Sequence, residues 1–213
     1  NNGSQGKERF GPGLATDWKF VDDTHIIMNL RKDVYFNDGK KTPMTADDVK
    51  FTLDMAMKNV IKSALAGYVK STVKDKYQIE IEISSYNNEF IQSLSSVPLS
   101  IQSKKAYDDG VKEPWLIGTG PYKYDKWVQG EYCRLTKVKD YWGNNLPETD
   151  NFAPGVSDII EFRPMIEASA RVMALQAGEI DVCVNPPISD LKFLKDDKNI
   201  TVYEQPGTRL FYF

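Results

Sequence analysis

The side chains able to do acid–base, nucleophilic or metal chemistry are few in this chain. His25 is its single histidine, and Cys133 and Cys183 are its two cysteines, in 213 residues. A histidine titrates near neutral pH and can serve as base or ligand. Residues 24–30, however, alternate: Ile26, Met28 and Leu30 fall on one face, His25, Ile27 and Asn29 on the other. That period of two gives a surface histidine on a half-buried strand. The cysteines stand 50 positions apart without a C-x-x-C partner, too few soft ligands for zinc. Both fall in strand-like surroundings, at 131–138 and 180–185. They read as small buried side chains, with a single disulfide between them as the other reading.

Catalytic signatures are absent from the sequence: no G-x-S-x-G, no H-E-x-x-H and no P-loop. Gly118-Thr-Gly120 lacks the third glycine of a dinucleotide loop, and Pro121 follows at once. The acidic pairs Asp47/Asp48 and Asp196/Asp197 read as helix-end or solvated charge. The expectation is therefore a protein that is not an enzyme, with no cofactor and no metal site. Aromatic residues are the remaining candidates. Trp115, Trp127, Tyr141 and Trp142 could wall a ligand pocket or pack a core.

Bulk properties narrow the class further. There are 27 Lys+Arg against 30 Asp+Glu, a formal charge of −3, with 41% hydrophobic and 27% charged residues. This mild acidity leaves no basic footprint for nucleic acid. Four Trp, eleven Tyr and ten Phe exclude a disordered tail, which is aromatic-poor. No apolar run approaches the ~20 residues needed to span a bilayer, and the polar first residues are no signal peptide. The chain reads either as cytosolic or as a mature or trimmed piece of an exported protein.

The elements that must position these residues follow from periodicity. Residues 1–12 read as a loop, and 34–36 as a short strand ended by the turn Asn37-Asp38-Gly39. Thr45 opens the clearest helix. Its hydroxyl can cap the amide of Asp48, and Val49, Leu53, Ala56 and Val60 recur at helical spacing, with the end near Lys58. At 77–83, Tyr77, Ile79, Ile81 and Ile83 face inward and Gln78, Glu80 and Glu82 face water. A second helix is expected at 89–94, then strands at 122–127 and 132–138 joined at Gly130.

Beyond residue 155 the reading is strand 158–162, helix 168–177 ended by Gly178, strand 181–184, helix 189–194 and strand 200–204. Glu167 and Arg171 stand at i,i+4 in the favourable sense. Alternating strands and helices argue for an α/β (mixed α+β) layered fold. The last residues, Arg209-Leu-Phe-Tyr-Phe213, read as an apolar strand whose bare edge would invite aggregation. The expectation is a chain cut from something longer.

Several stretches together resemble the extracytoplasmic solute-binding proteins of peptide and nickel ABC importers, the oligopeptide/dipeptide-binding family 5. They are Gly13-Leu-Ala-Thr-Asp-Trp18, Leu30-Arg-Lys-Asp-Val-Tyr-Phe-Asn-Asp-Gly39 and Met44-Thr-Ala-Asp-Asp-Val-Lys-Phe-Thr52. Gly118-Thr-Gly-Pro-Tyr122, Asp140-Tyr-Trp142 and Leu175-Gln-Ala-Gly-Glu-Ile-Asp181 follow in order. The resemblance implies a periplasmic-binding-protein-like architecture. Residues 1–117 would form the domain II-like lobe, 118–213 an incomplete, central part of domain I, and domain III would be absent. Residues 30–45 would be architectural, and Gly118-Thr-Gly-Pro the crossing between lobes, where small residues let the backbone pass closely.

The resemblance also implies a ligand wall. Peptide-binding relatives take peptide as an added strand. The positions implied here are Val184, Asn185 and Pro186, then Arg209, Leu210 and Phe211. Asn185 could donate to and accept from a peptide backbone, and Arg209 could pair with a carboxylate. Pro186-Pro187 removes backbone donors at that wall.

The implied function is the substrate-binding component of an ABC transporter that captures oligopeptides or dipeptides. Its partners would be a small peptide or other solute and a membrane permease, with no nucleic acid and a monomeric chain. The implied location is extracytoplasmic, lipid-anchored in the full-length protein. The alternatives are another solute, a nickel chelate or oligosaccharide, or a non-transport protein-interaction module. Nickel binders in the family use histidine and arginine around the chelate, and no arginine lies at 97–103.

Overall fold

The computed structural model describes residues 11–87, 89–146 and 154–204. Residues 1–10 of the expected loop at 1–12, and the expected strand at 209–213, lie outside them. The chain divides into two compact units: one runs to Trp127 and adds Cys133–Glu161, the other joins Val128–Tyr132 to Phe162 onward.

The first unit is built on an antiparallel sheet in the order β1-β2-β4-β3. Its strands are β1 Ala15–Phe20, β2 His25–Leu30, β3 Tyr68–Asp75 and β4 Gln78–Ile83. In the register Ile26 lies opposite Ile81 and Met28 opposite Ile79. Ile26, Ile79 and Ile81 are fully buried, and Met28, Leu30 and Ile83 nearly so. The alternation read from the sequence thus selects the inner face of both central strands. Each such side chain removed from water stabilises by about 1.5–3 kcal/mol.

The outer face of β4 departs from expectation, because Gln78, Glu80 and Glu82 are half-buried rather than water-facing. β4 is a central strand, so its neighbours cover it. Lys70 Nζ reaches Glu82 at 2.9 Å and Lys74 Nζ reaches Glu80 at 3.5 Å. Exposed cross-strand pairs of this kind contribute about 0.2–1 kcal/mol each.

Helix α1, Ala46–Lys58, covers the inner face with Val49, Leu53 and Ala56. The Val60 side chain lies outside the described ones. Thr45 occupies the N-cap position and forms a capping box with Asp48, its side chain facing the Asp48 amide as expected. The Asp48 carboxylate accepts the Thr45 amide at 2.8 Å and the Thr45 hydroxyl at 2.9 Å. The Asp48 amide also reaches the Thr45 carbonyl at 3.1 Å. Asp48 also accepts the Lys104 amide at 2.9 Å, and the Thr52 hydroxyl accepts the Gln102 amide at 2.9 Å. Two buried polar side chains of α1 therefore tie down the segment leading into α3, Lys104–Asp108. Phe90, fully buried on α2 (Phe90–Leu94), and Leu99 close the core.

Residues 34–36 and 42–44 do not form a named strand. They are joined by one bridge, Tyr35 to Pro43, and by Phe36 N–H to Thr42 O at 2.8 Å. The expected turn is present. Gly39 has φ +74, and the Asp38 carboxylate accepts the Lys40 amide and the Thr42 hydroxyl.

A second sheet runs in the order β5-β6-β7, formed by Tyr122–Val128, Tyr132–Lys137 and Ile159–Phe162. Gly130, with φ +80, lies in the β5–β6 connection. In the second unit, α4 Ala168–Gln176 ends before Gly178 at φ +72. A 3-10 turn at Ile188–Asp190 then leads into α5, Leu191–Asp196. The expected strands at 181–184 and 200–204 are not formed. An apolar stretch becomes a strand only when a neighbour pairs with it, and Val182 and Tyr203 stand 74% and 91% exposed. The fold is mixed α/β.

Candidate functional site

Of the six wall residues read from the sequence, Arg209, Leu210 and Phe211 lie outside the described residues. Val184, Asn185 and Pro186 follow α4 in the second unit. The Val184 side chain is 67% exposed. Asn185 takes a left-handed backbone, φ +53, which asparagine tolerates better than most residues. Its carbonyl accepts Arg171 Nη2 at 3.1 Å. Arg171 Nη1 donates to the Met165 carbonyl at 2.7 Å and to the Ile166 carbonyl at 3.1 Å. The guanidinium therefore binds main-chain carbonyls rather than the Glu167 carboxylate that its spacing suggested. Sequence reasoning missed this role, although a signal was available. A cation in the first turn of a helix is repelled by the helix dipole, so Arg171 needed a partner outside α4.

The segment expected to cross between lobes is held by its carbonyls. Asn37 N–H donates to Gly118 O at 2.8 Å, Asn37 Nδ2 to Gly120 O at 2.9 Å and Trp142 Nε1 to Thr119 O at 2.7 Å. The steric reason expected for its glycines does not hold. A Cβ on Gly118 would meet nothing within 4 Å, and on Gly120 only the Tyr122 carbonyl at 3.9 Å. Close approach is real instead at Gly143, where a Cβ would sit 2.3 Å from the Tyr141 ring. Gly143→Ala is expected to lower stability by about 1–3 kcal/mol through overpacking, whereas Gly118→Ala changes it little. Paired urea melts measure both.

Two concavities lie in the first unit. A cavity of about 610 Å³ is lined largely by apolar side chains, among them Trp18, Met28, Leu53 and Ile91. A cleft of about 350 Å³ carries Lys41, Lys123, Lys137 and Lys139 beside Asp140 and Trp142. Lys41 pairs with Asp140 at 2.6 Å. The aromatics divide: Tyr141 is buried and Trp142 lines the cleft, while Trp115 and Trp127 are 58% and 64% exposed.

His25 is a surface residue of β2, half-exposed as its alternation indicated. Its Nδ1 lies 3.0 Å from Asp22 Oδ1, and its Nε2 3.7 Å from Glu82. The Asp22 hydrogen bond raises the imidazole above its ordinary 6.5. Asp22 is drawn down to about 2, first by the Thr24 amide and then by His25. The raised His25 stabilises the fold fully below its unfolded value near 6.5, and that contribution is lost as pH climbs through the raised value. The Asp22 contribution is present above its ordinary 3.8 and is lost as pH falls toward about 2. An NMR titration of His25 is expected to give a midpoint above 6.5, returning toward 6.5 in Asp22→Asn.

Cys133 and Cys183 are both free thiols of intermediate exposure rather than buried side chains. Among the described residues, no group of three or more His, Cys, Asp or Glu side chains could hold a metal ion. Among the same residues, no helix is long and apolar enough to cross a membrane.

Similarity to known proteins follows the same lines. The profile for "Bacterial extracellular solute-binding proteins, family 5 Middle" matches residues 9–213. The chain is 29% identical to Di/tripeptide-binding protein 1 of Pseudomonas aeruginosa, over 94% of this chain and 41% of that protein. It is 28% identical to the glutathione-binding protein GsiB of Escherichia coli K12, over 91% of this chain and 37% of that protein. The periplasmic binding protein DppA of Helicobacter pylori, solved with the peptide STSA, superimposes with a TM-score of 0.75 at 28% identity. That match covers 89% of this chain and 40% of DppA. The chain thus spans about two fifths of the length of these relatives. It belongs to the bacterial extracellular solute-binding proteins, family 5.

Proposed function

We propose that this chain is part of the solute-binding component of an ABC importer, and that the full-length protein captures short peptides outside the cytoplasmic membrane. The observation that carries this reading is the likeness, across nearly the whole chain, to a binding protein solved with a bound peptide. Residues to 117 act as the domain II-like lobe, and residues from 118 belong to the ligand-contacting lobe. Val184, Asn185 and Pro186 form part of the ligand wall, with Arg209, Leu210 and Phe211 continuing it. Closure of lobes about a hinge traps the solute and creates the surface that the permease recognises. The protein works as a monomer, lipid-anchored at the membrane, and catalyses no reaction.

Thermal unfolding of the full-length protein with alanyl-alanine, trialanine, glutathione or nickel–histidine tests this reading. A ligand at 100 times its Kd stabilises the folded state by about 2.7 kcal/mol, a rise of several degrees in Tm. Stabilisation by at least one peptide is expected. Stabilisation by nickel–histidine alone, or by none of the four, would overturn the assignment.

A further inference from the structure

The cleft of about 350 Å³ in the first unit gathers Lys41, Lys123, Lys137 and Lys139 against one carboxylate, Asp140. That is a surplus of three positive charges on a chain whose formal charge is −3. Lys41 Nζ pairs with Asp140 at 2.6 Å. Among the described residues, no carboxylate lies within ion-pairing distance of Lys123, Lys137 or Lys139. Like charges in a concave site repel one another, and its low-dielectric walls focus the field they raise. An entering anion relieves that repulsion. The walls themselves are fixed by main-chain bonds. Lys137 N–H donates to Asp158 O and Val138 N–H to Pro121 O, each at 2.9 Å, and Asn37 Nδ2 donates to Gly120 O at 2.9 Å. Lys41 takes a left-handed backbone, φ +55, which costs a residue with a Cβ about 1–2 kcal/mol. Strain of this kind gathers at ligand clamps, and here it aims Lys41 at Asp140 within the cleft.

We infer that this cleft binds a small phosphate-bearing anion of two or more charges, held by Lys123, Lys137 and Lys139, with Lys41 shared between the anion and Asp140. The choice of phosphate follows from the cations. All four are lysines, and an ammonium is a compact point charge with three rotatable donors. A planar carboxylate is matched best by the arginine fork, and no arginine stands among the described lining residues. A tetrahedral phosphate accepts point charges from several directions at once. The volume is at the lower end of the range for small-molecule sites, about 300–1,000 Å³. It takes either two linked phosphates or one phosphate whose organic group lies on Tyr35, 40% exposed, or on the half-buried Trp142. None of these residues belongs to the proposed ligand wall, so the inference stands apart from the peptide reading.

Calorimetric titration of the full-length protein with pyrophosphate, phenyl phosphate and citrate tests the inference. Saturable one-to-one binding of pyrophosphate or phenyl phosphate is expected, weakening as sodium chloride is raised. Lys137→Gln and Lys139→Gln are each expected to weaken it about tenfold, the worth of one charge-assisted hydrogen bond. Asp140→Asn is expected to tighten it severalfold, because it removes the one carboxylate of the cleft and releases Lys41. Lys58→Gln and Lys112→Gln remove the same charge at exposed positions outside the cleft and are expected to leave affinity unchanged. Tighter binding of phenyl phosphate supports an aromatic phosphoester as the occupant, and tighter binding of pyrophosphate supports a free polyphosphate. Citrate that binds as tightly as either would overturn the phosphate assignment. No saturable binding of either phosphate, or an equal loss in the cleft variants and the two controls, would overturn the site.

Discussion

Phe90→Ala is expected to destabilise the first unit by about 3–5 kcal/mol, the range for truncating a buried aromatic. Phe90 is fully buried at the start of a helix of only five residues. So short a helix has no independent stability, and it stays in place because Phe90 packs into the cluster containing Ile79, Ile81 and Leu53. The cluster already borders a cavity of about 610 Å³ reached by Leu53, Ile81 and Ile91. Removing the ring enlarges unfilled space that the sheet cannot close, so the upper half of the range is expected. Urea unfolding monitored by tryptophan fluorescence measures the loss. A change below about 1 kcal/mol would mean that Phe90 is not the anchor of α2.

The second large effect is expected at Asp48. This carboxylate is 5% exposed and accepts three donors: the Thr45 amide, the Thr45 hydroxyl and the Lys104 amide. Asp48→Ala strands two main-chain donors and removes the cap of α1. An unsatisfied buried donor costs about 1–3 kcal/mol and a lost cap about 0.5–2 kcal/mol. The expected destabilisation is about 2–4 kcal/mol, and Asp48→Asn recovers part of it because one amide oxygen still accepts. Hydrogen exchange at the Lys104 amide supplies an independent readout. Its protection is expected to fall in Asp48→Ala beyond what the global loss of stability explains, because the bond from α1 to 102–104 is broken directly.

The elements that the sequence made legible are those whose side chains carry one clean period. β2 and β4 put aliphatic residues at every second position, and α1 repeats Val49, Leu53 and Ala56 on one face. β3 hid because its inward positions are partly polar. Ser71 is buried and bonded to the Tyr68 hydroxyl at 2.8 Å, while Val69 points outward after a bulge. β1 hid as an edge strand with half of its residues exposed, none fully buried, and a register shift between Ala15 and Asp17. The opposite error fell at 181–184 and 200–204, where apolar composition suggested strands that no neighbour pairs among the described residues.

The ligand wall proposed at Val184, Asn185 and Pro186 rests on resemblance alone. No periodicity marks Val184–Asn185–Pro186, and what gives them shape is an arginine 14 positions earlier. Charge spacing alone steered Arg171 toward Glu167. A guanidinium can instead satisfy several carbonyls at once, and a loop that leaves carbonyls unpaired near a helix start competes well for it. The role of Asn37 was equally hidden. It was read as a turn residue, and it is one, but its side chain also closes the 118–120 segment over 83 positions of sequence.

The claim that the full-length protein is a peptide receptor is tested most directly by native mass spectrometry of that protein, purified without added ligand. Receptors that hold short peptides tightly carry them through purification. The expected result is a set of added masses that match di- and tripeptides and vanish after unfolding and refolding. A bare mass, or one sharp adduct matching a metal chelate or sugar, would contradict it.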